Sequence, residues 1–309
     1  MTTPPLVRTW RPGWPCPVGQ VLGVHRRGAG DPTYRVLPDG SHLRGVRTPE
    51  GVTALLVGVD RTGGEVAARA WGPGSAWILD RLPRLLGADD DPAGFEPPPA
   101  LAASWRRHRD WRVGATDLVM ESLVPTIIEQ KVTGQEAFAG FRRLVRRYGE
   151  RAPGPHELDL WVQPDAAALR TIPSWEWLRL PVDGGRSRPL LAAARVAESL
   201  ERAGAAGHEE FDRRLRTLPG IGVWSSAEVR ARALGDADAV SFGDYHVAKD
   251  IGWALVGEAV DDDALAELLE PYRPHRHRVQ RLVEMAGLGR PRRGPRMAPR
   301  THLPARAHR

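Results

Sequence analysis

The residues with the strongest claim to chemistry lie between positions 211 and 250. Phe211, Leu215 and Leu218 recur at helical spacing, and then Leu218-Pro219-Gly220-Ile221-Gly222 interrupts the helix before a second one starts at once. The spacing predicts two helices joined by a very tight hairpin at 209–234. Glycine lets such a bend approach another surface closely, and the amides that open the second helix are unpaired and positively polarised, so a phosphate oxygen can accept from them. On its own such a bend favours a plain helix connector. Downstream, Phe242-Gly243-Asp244-Tyr245 sets a carboxylate, Asp244, at the start of another predicted helix, where it can serve as an N-cap.

Other chemistries find little support. Cys16 is the only cysteine, which excludes an internal disulfide and a cysteine-ligated iron–sulfur cluster. His246 has neither a Ser or Cys partner nor metal-ligand spacing, so it reads as structural or phosphate-facing. Asp236, Asp238 and Asp250 read as two turn residues and a solvated helix face. Lysine occurs only at Lys131 and Lys249.

Taken together, Leu218-Pro219-Gly220-Ile221-Gly222 with Trp224, the Gly243-Asp244-Tyr245 loop, and Ile128-Glu129-Gln130-Lys131-Val132-Thr133 upstream resemble the helix-hairpin-helix DNA glycosylase superfamily, and within it the 3-methyladenine DNA glycosylase II branch. The resemblance spans about residues 117–286 and, more loosely, the sheet domain before them. It implies an enzyme of base excision repair that hydrolyses the N-glycosidic bond of alkylated purines in double-stranded DNA, acting as a monomer without cofactor. Asp244 would be its catalytic aspartate, since a fixed carboxylate stabilises the positive charge that builds on deoxyribose as a base departs. Trp224 stands where bifunctional members carry a Schiff-base lysine, which implies no lyase step.

Further roles follow from the same resemblance. Trp224 and then Tyr245 would line an aromatic pocket for the extruded, electron-poor base. Gly220, Ile221 and Gly222 would hold DNA, with Gln130 and Lys131 at the joint where the family places a wedge. A cation on the hairpin carbonyls of Leu218 and Gly220 is implied too. The last predicted helix has no aromatic at 280–285, where relatives supply a second pocket tryptophan; whether Trp175 and Trp177 line the cleft stays open. Two other readings remain: a non-catalytic DNA-binding protein that uses the hairpin only as a phosphate clamp, and a glycosylase for another damaged base.

These residues need elements to position them. From 19 to 70 the pattern favours the strands of an antiparallel sheet, including Gln20-Val21-Leu22-Gly23-Val24-His25-Arg26-Arg27-Gly28, with turns at Pro38-Asp39-Gly40 and Thr62-Gly63-Gly64. Residues 75–87 read as a helix that Pro83 splits. The acidic, proline-rich segment 88–100 suggests a domain boundary, giving an N-terminal mixed α/β domain over 1–98 and a helical domain over 99–286. Thr133 and Glu136 form a capping-box pattern for a helix that stops at Gly149. Later helices are expected over 192–203, 209–217, 224–234, 245–256, 263–269 and 275–286. The fold class is therefore α+β: an antiparallel-sheet domain followed by a mostly α helix-hairpin-helix domain.

Net charge is +6 across 309 residues, but seven arginines and no acid fall within 286–309, so the rest of the chain is near −1. Basicity is a tail property, and 287–309 reads as disordered. The clusters Trp105-Arg106-Arg107-His108-Arg109 and His275-Arg276-His277-Arg278 fit either phosphate contacts or solvated helix faces. No apolar run approaches a membrane span, and the start lacks the apolar core of a secretory signal, so a cytoplasmic, nucleoid-associated protein with no membrane partner is expected.

Overall fold

The computed structural model describes residues 4–59, 64–154 and 159–291. The N-terminal part is a five-stranded antiparallel sheet of β1 (Leu6–Trp10), β2 (Tyr34–Val36), β3 (His42–Thr48), β4 (Gly51–Val59) and β5 (Val66–Trp71), in the order β1-β5-β4-β3-β2. Alternation sets its faces: Val66, Ala68 and Ala70 are buried, while Ala67 and Arg69 are exposed. The buried face packs on α2 (Ser75–Asp80) and α3 (Leu82–Leu85) through Ile78, Leu79, Leu82 and Leu85. The break between these helices falls at Arg81, two residues before Pro83, in line with the split expected from the sequence. The Pro38-Asp39-Gly40 turn closes with Gly40 N donating to Leu37 O at 2.9 Å, whereas most of the expected Thr62-Gly63-Gly64 turn lies outside the described residues.

One strand expectation is overturned. Residues 18–22 form α1 (Val18–Leu22), followed by a 3-10 turn at Gly23–His25. Val18, Val21 and Leu22 are the buried positions, a three-and-four spacing that suits a helix lying on the sheet rather than a strand within it. The fifth strand is β1, paired at the edge with β5 from Leu6 opposite Ala70 to Trp10 opposite Val66.

The rest is mainly helical. In chain order come α4 (Ala102–His108), α5 (Val119–Glu129), α6 (Gly134–Tyr148), a two-stranded β6 (Glu150–Arg151) and β7 (Trp161–Val162), α7 (Ala166–Thr171), α8 (Ser174–Arg179), α9 (Gly184–Arg195) and α10 (Ala197–Ala203). Then follow α11 (His208–Leu215), α12 (Val223–Val229), which runs on as a π-helical turn at Arg230–Leu234, α13 (Val247–Val256), α14 (Asp262–Leu269) and α15 (Arg276–Ala286). The capping box forms as expected: Glu136 N donates to Thr133 Oγ1 at 3.2 Å, Thr133 N donates to Glu136 Oε2 at 3.0 Å, and Gly149 ends α6. Helix α5 is buried along Leu123, Val124, Ile127 and Ile128, and forms the centre of the larger core with Phe141, Leu144, Phe211 and Leu215.

The acidic segment 88–100 is packed rather than slack. Asp90 accepts from Arg278 Nη2 on both carboxylate oxygens, at 2.7 and 2.9 Å, and also accepts from Val113 N at 2.8 Å. Phe95 joins a third core with Leu265, Leu269 and Leu282. No helix among the described residues is long and apolar enough to cross a membrane. The tail expectation lies outside the described residues from 292 onward.

Candidate active site

Helices α11 and α12 meet in the bend that the sequence predicts. Phe211 and Leu215 anchor α11 in the core, and Ile221, 5% exposed, plugs the bend into it. Ile221 N donates to Leu218 O at 3.1 Å. Gly220 has φ +84, and a Cβ there would sit 2.4 Å from Pro189 Cγ, so both backbone conformation and close approach require glycine. Gly222 enters α12 extended, with no side chain capping it, which leaves the first amides of the helix for water or an anion.

Gln130 ties the end of α5 to this bend: its Nε2 donates to Gly220 O at 3.0 Å and to Ser225 Oγ at 2.8 Å. Lys131 follows, exposed and left-handed at φ +54. Leu218 O and Gly220 O, the expected cation ligands, thus each already accept a hydrogen bond. Among the described residues no group of three or more His, Cys, Asp or Glu side chains could hold a metal.

Asp244 and Trp224 line one cleft of about 340 Å³. Gly243, at φ +84, turns the chain against Trp224, such that a Cβ placed on it would lie 3.8 Å from Trp224 Cβ. Asp244 Oδ1 accepts from His246 N at 2.7 Å and Val247 N at 3.1 Å; the N-cap of α13 is His246, so the carboxylate sits two residues ahead of the cap and holds the amides that lead into the helix. Its Oδ2 has no hydrogen-bond partner among the described residues. One oxygen fixes the side chain and the other stays available to a ligand.

Three helices seat the Asp244 loop. Asp244 N donates to Ser241 O at 3.2 Å, and Ser241 is itself pinned by its hydroxyl on Glu228 of α12 and by its amide on Gln280 Oε1 of α15 at 3.1 Å. Gly243 N donates to Asp262 Oδ2 of α14 at 2.8 Å. Glu228 also pairs with Arg232. Burial pushes the Glu228 carboxyl up, but the Arg232 charge and the hydrogen bonds from Ser241 and Arg232 outweigh it and hold the group below its ordinary range.

The cleft also contains residues that the sequence reading misses. Trp111, 2% exposed, supplies an aromatic wall, with the guanidinium groups of Arg278 and Arg281 at 5.7 and 5.9 Å from its ring. His277, Gln280, Arg281 and Glu284 come from one side of α15. Glu284 pairs with Arg281, and Glu129 with Arg27 at 2.9 Å. The only available signal for His277 was the 275–278 cluster, and that cluster is not a phosphate surface. His275, His277 and Arg278 are buried, and Arg276 pairs with Asp238. Arg106, Arg107 and Arg109 are exposed on and just beyond α4.

Other expected site residues lie elsewhere. Tyr245 is outside the cleft wall, 75% exposed, with the Lys249 ammonium 3.8 Å from its ring centre. Trp177 is buried in the main core and Trp175 is exposed; neither reaches the cleft. Asp250, read as a solvated helix position, sits on the cleft rim and accepts from Arg290 N at 3.0 Å. Asp236 is buried and pairs with Arg230 rather than merely making a turn.

No family model and no curated protein matches the chain. Solved structures do. The chain is similar to a 3-methyladenine DNA glycosylase from Archaeoglobus fulgidus, at 17% identity and a TM-score of 0.74, over 90% of this chain and 97% of that one. It is also similar to the 8-oxoguanine glycosylase/lyase of Clostridium acetobutylicum in complex with double-stranded DNA, at 12% identity and a TM-score of 0.67, over 93% and 98%. The chain shares the fold of these two DNA glycosylases, sheet domain included.

Proposed function

We propose that this protein is a monofunctional DNA glycosylase that hydrolyses the N-glycosidic bond of alkylated purines in duplex DNA. The observation that carries the reading is Asp244, held by one oxygen at the start of α13, with its other oxygen unpartnered in a cleft shared with Trp224. The hairpin amides and the Gln130–Lys131 turn would hold the strand while the damaged nucleotide leaves the stack. As the bond to the base breaks, the carboxylate faces the growing charge on the sugar; water then adds to the sugar carbon and releases a proton, leaving an abasic site. The substrate would keep the protein, as a monomer, at the nucleoid.

Two features favour this chemistry over its neighbours. Neither lysine of the chain lines the cleft, and Lys249 is engaged with Tyr245, donating to its carbonyl at 3.0 Å, so neither lysine amine is placed to form a Schiff base with the sugar. The cleft-lining residues include five carboxylates, Glu129, Glu228, Asp244, Asp250 and Glu284, against three guanidinium groups, Arg112, Arg232 and Arg281. That excess suits a cationic alkylated base flanked by Trp111 and Trp224.

Single-turnover release from duplexes holding 3-methyladenine, 7-methylguanine, ethenoadenine, hypoxanthine, uracil or 8-oxoguanine tests the reading. The alkylated purines should be released, leaving an intact strand at the abasic site and no complex trapped by borohydride. Binding of damaged duplex without release of any base would support the phosphate-clamp reading instead, and a borohydride-trapped complex would overturn the monofunctional assignment.

A further inference from the structure

Helices α12 and α15 build the floor of the cleft, and nearly every acceptor they bring to it is already occupied. Glu228 takes the Ser241 hydroxyl and Arg232; Gln280 Oε1 takes Ser241 N; Glu284 takes Gln280 Nε2 at 3.0 Å and Arg281. His277 differs. Its Nδ1 lies 2.9 Å from Ala239 O, and since a carbonyl oxygen only accepts, Nδ1 carries the proton. Nε2 is then a lone pair at the opposite pole of a ring that lines the cleft, and among the described residues it has no donor.

We propose that His277 selects the extruded base by accepting, at Nε2, a hydrogen bond from an amino group on the base's edge. The inference rests on the function proposed above and names a substrate class within it: alkylated purines that carry an exocyclic amino group. Burial and the nearby Arg281 charge hold the ring down to about pKa 3, so the lone pair persists throughout the neutral range. The match is chemical as well as geometric. Alkylation of a ring nitrogen spreads positive charge onto the amino group and makes its N–H a stronger, charge-assisted donor, which a neutral imidazole can accept without bringing a second cation into the floor. A carbonyl on the same edge would face the lone pair oxygen first and leave both acceptors unsatisfied. The charge leaves the base as the glycosidic bond breaks, so this hydrogen bond favours binding over the chemical step.

Two free bases that differ only in the amino group provide the test: 3-methyladenine and 3-methylpurine, each used as an inhibitor of excision by the full-length protein on methylated duplex. In the wild type 3-methyladenine should inhibit about tenfold more strongly. His277→Phe, which keeps a planar ring and removes the lone pair, should bring the two to equality and raise the half-saturating enzyme concentration for excision while leaving the maximal rate within about threefold. Should the variant fail to fold, the wild-type contrast decides by itself: equal inhibition by the two bases overturns the proposal. A His277→Phe protein that retains the wild-type selectivity overturns it as well. Both results leave excision intact and are distinct from finding no excision of any alkylated purine, which would remove the functional reading together with this one.

Discussion

Two cavities in this molecule are built from similar residues and do different work. The larger, about 440 Å³, lies in the seam between the sheet and the helices, and the smaller, about 340 Å³, is the cleft at Asp244. In the seam, charges join elements: Arg44 of β3 pairs with Glu121 of α5 at 2.7 Å, and the Glu201 carboxylate of α10 accepts from Val119 N and Met120 N at 2.8 Å, capping the start of α5. In the cleft, the Asp244 carboxylate is joined only to the amides that lead into its own helix, and it and His277 each keep one valence for something that is not protein. Volume and charge density therefore do not separate a site from a seam. What separates them is what the charged groups join: in the seam they bridge separate elements, whereas in the cleft the Asp244 carboxylate holds only the amides that lead into α13 and keeps one oxygen open. The Arg27–Glu129 pair links the two, with Arg27 lining the seam and Glu129 the cleft.

The sharpest break in this comparison is Asp244→Asn. The amide oxygen can still accept from His246 N and Val247 N, so the loop should keep its shape while the negative charge disappears. Base release should fall by about a thousandfold or more, with duplex affinity within a few-fold of wild type, as read by single-turnover release and by equilibrium binding. Next comes Arg44→Ala in the seam. Arg44 is 3% exposed, and its loss leaves the Glu121 carboxylate without its cation in a largely buried setting. Denaturant unfolding should show a loss of about 3 kcal/mol, while the release rate per folded molecule stays unchanged. A catalytic defect in Arg44→Ala beyond its loss of folded protein would mean that the seam belongs to the active site after all.

How much of this was legible in the sequence follows from the range over which each feature is determined. The hairpin and the Thr133 capping box are local devices, in which a positive-φ glycine and a three-residue cap spacing specify the geometry almost alone; the Asp244 loop is local in its Gly243 turn but seated by contacts from three helices. The cleft floor is not local. His277 is oriented by Ala239, 38 residues away, and Arg278 by Asp90, 188 residues away. A run such as His275-Arg276-His277-Arg278 looks solvated because charge in a sequence says nothing about a distant carboxylate or carbonyl that will bury it. Trp111 was equally silent: a lone tryptophan carries no periodicity, and only the packing of 111–118 against the sheet domain brings it to the cleft. Residues 18–22 failed for the opposite reason, because a short apolar run fits both periods and the choice was made by the surface it lands on.

A smaller effect should come from Ser241→Ala, which removes the hydroxyl between Glu228 and Gln280 without touching the cleft wall. Asp244 N keeps its bond to Ser241 O, but the turn loses one of its fixed points. The maximal single-turnover rate should drop about tenfold with the half-saturating enzyme concentration unchanged, and Ser241→Thr, which restores a hydroxyl, should recover part of it. A loss confined to stability, with no change in maximal rate, would mean that the network supports the core and not the carboxylate.

The smallest expected change tests whether the turn before α6 is independent of the grip that Gln130 has on the hairpin. Thr133→Ala removes the side-chain half of the capping box, leaving Glu136 N without its acceptor, and should destabilise the protein by about 1 kcal/mol in denaturant unfolding. Gln130 reaches Gly220 O and Ser225 Oγ from the end of α5, on the other side of the left-handed Lys131, so those contacts do not depend on the cap. Single-turnover release should therefore stay within about twofold of wild type, as expected for a loss of cap stability that leaves the site geometry alone. A large rate loss from so small a change in stability would show that the start of α6 and the DNA-facing turn move as one piece, and the division between supporting and reactive regions would have to be redrawn at Lys131.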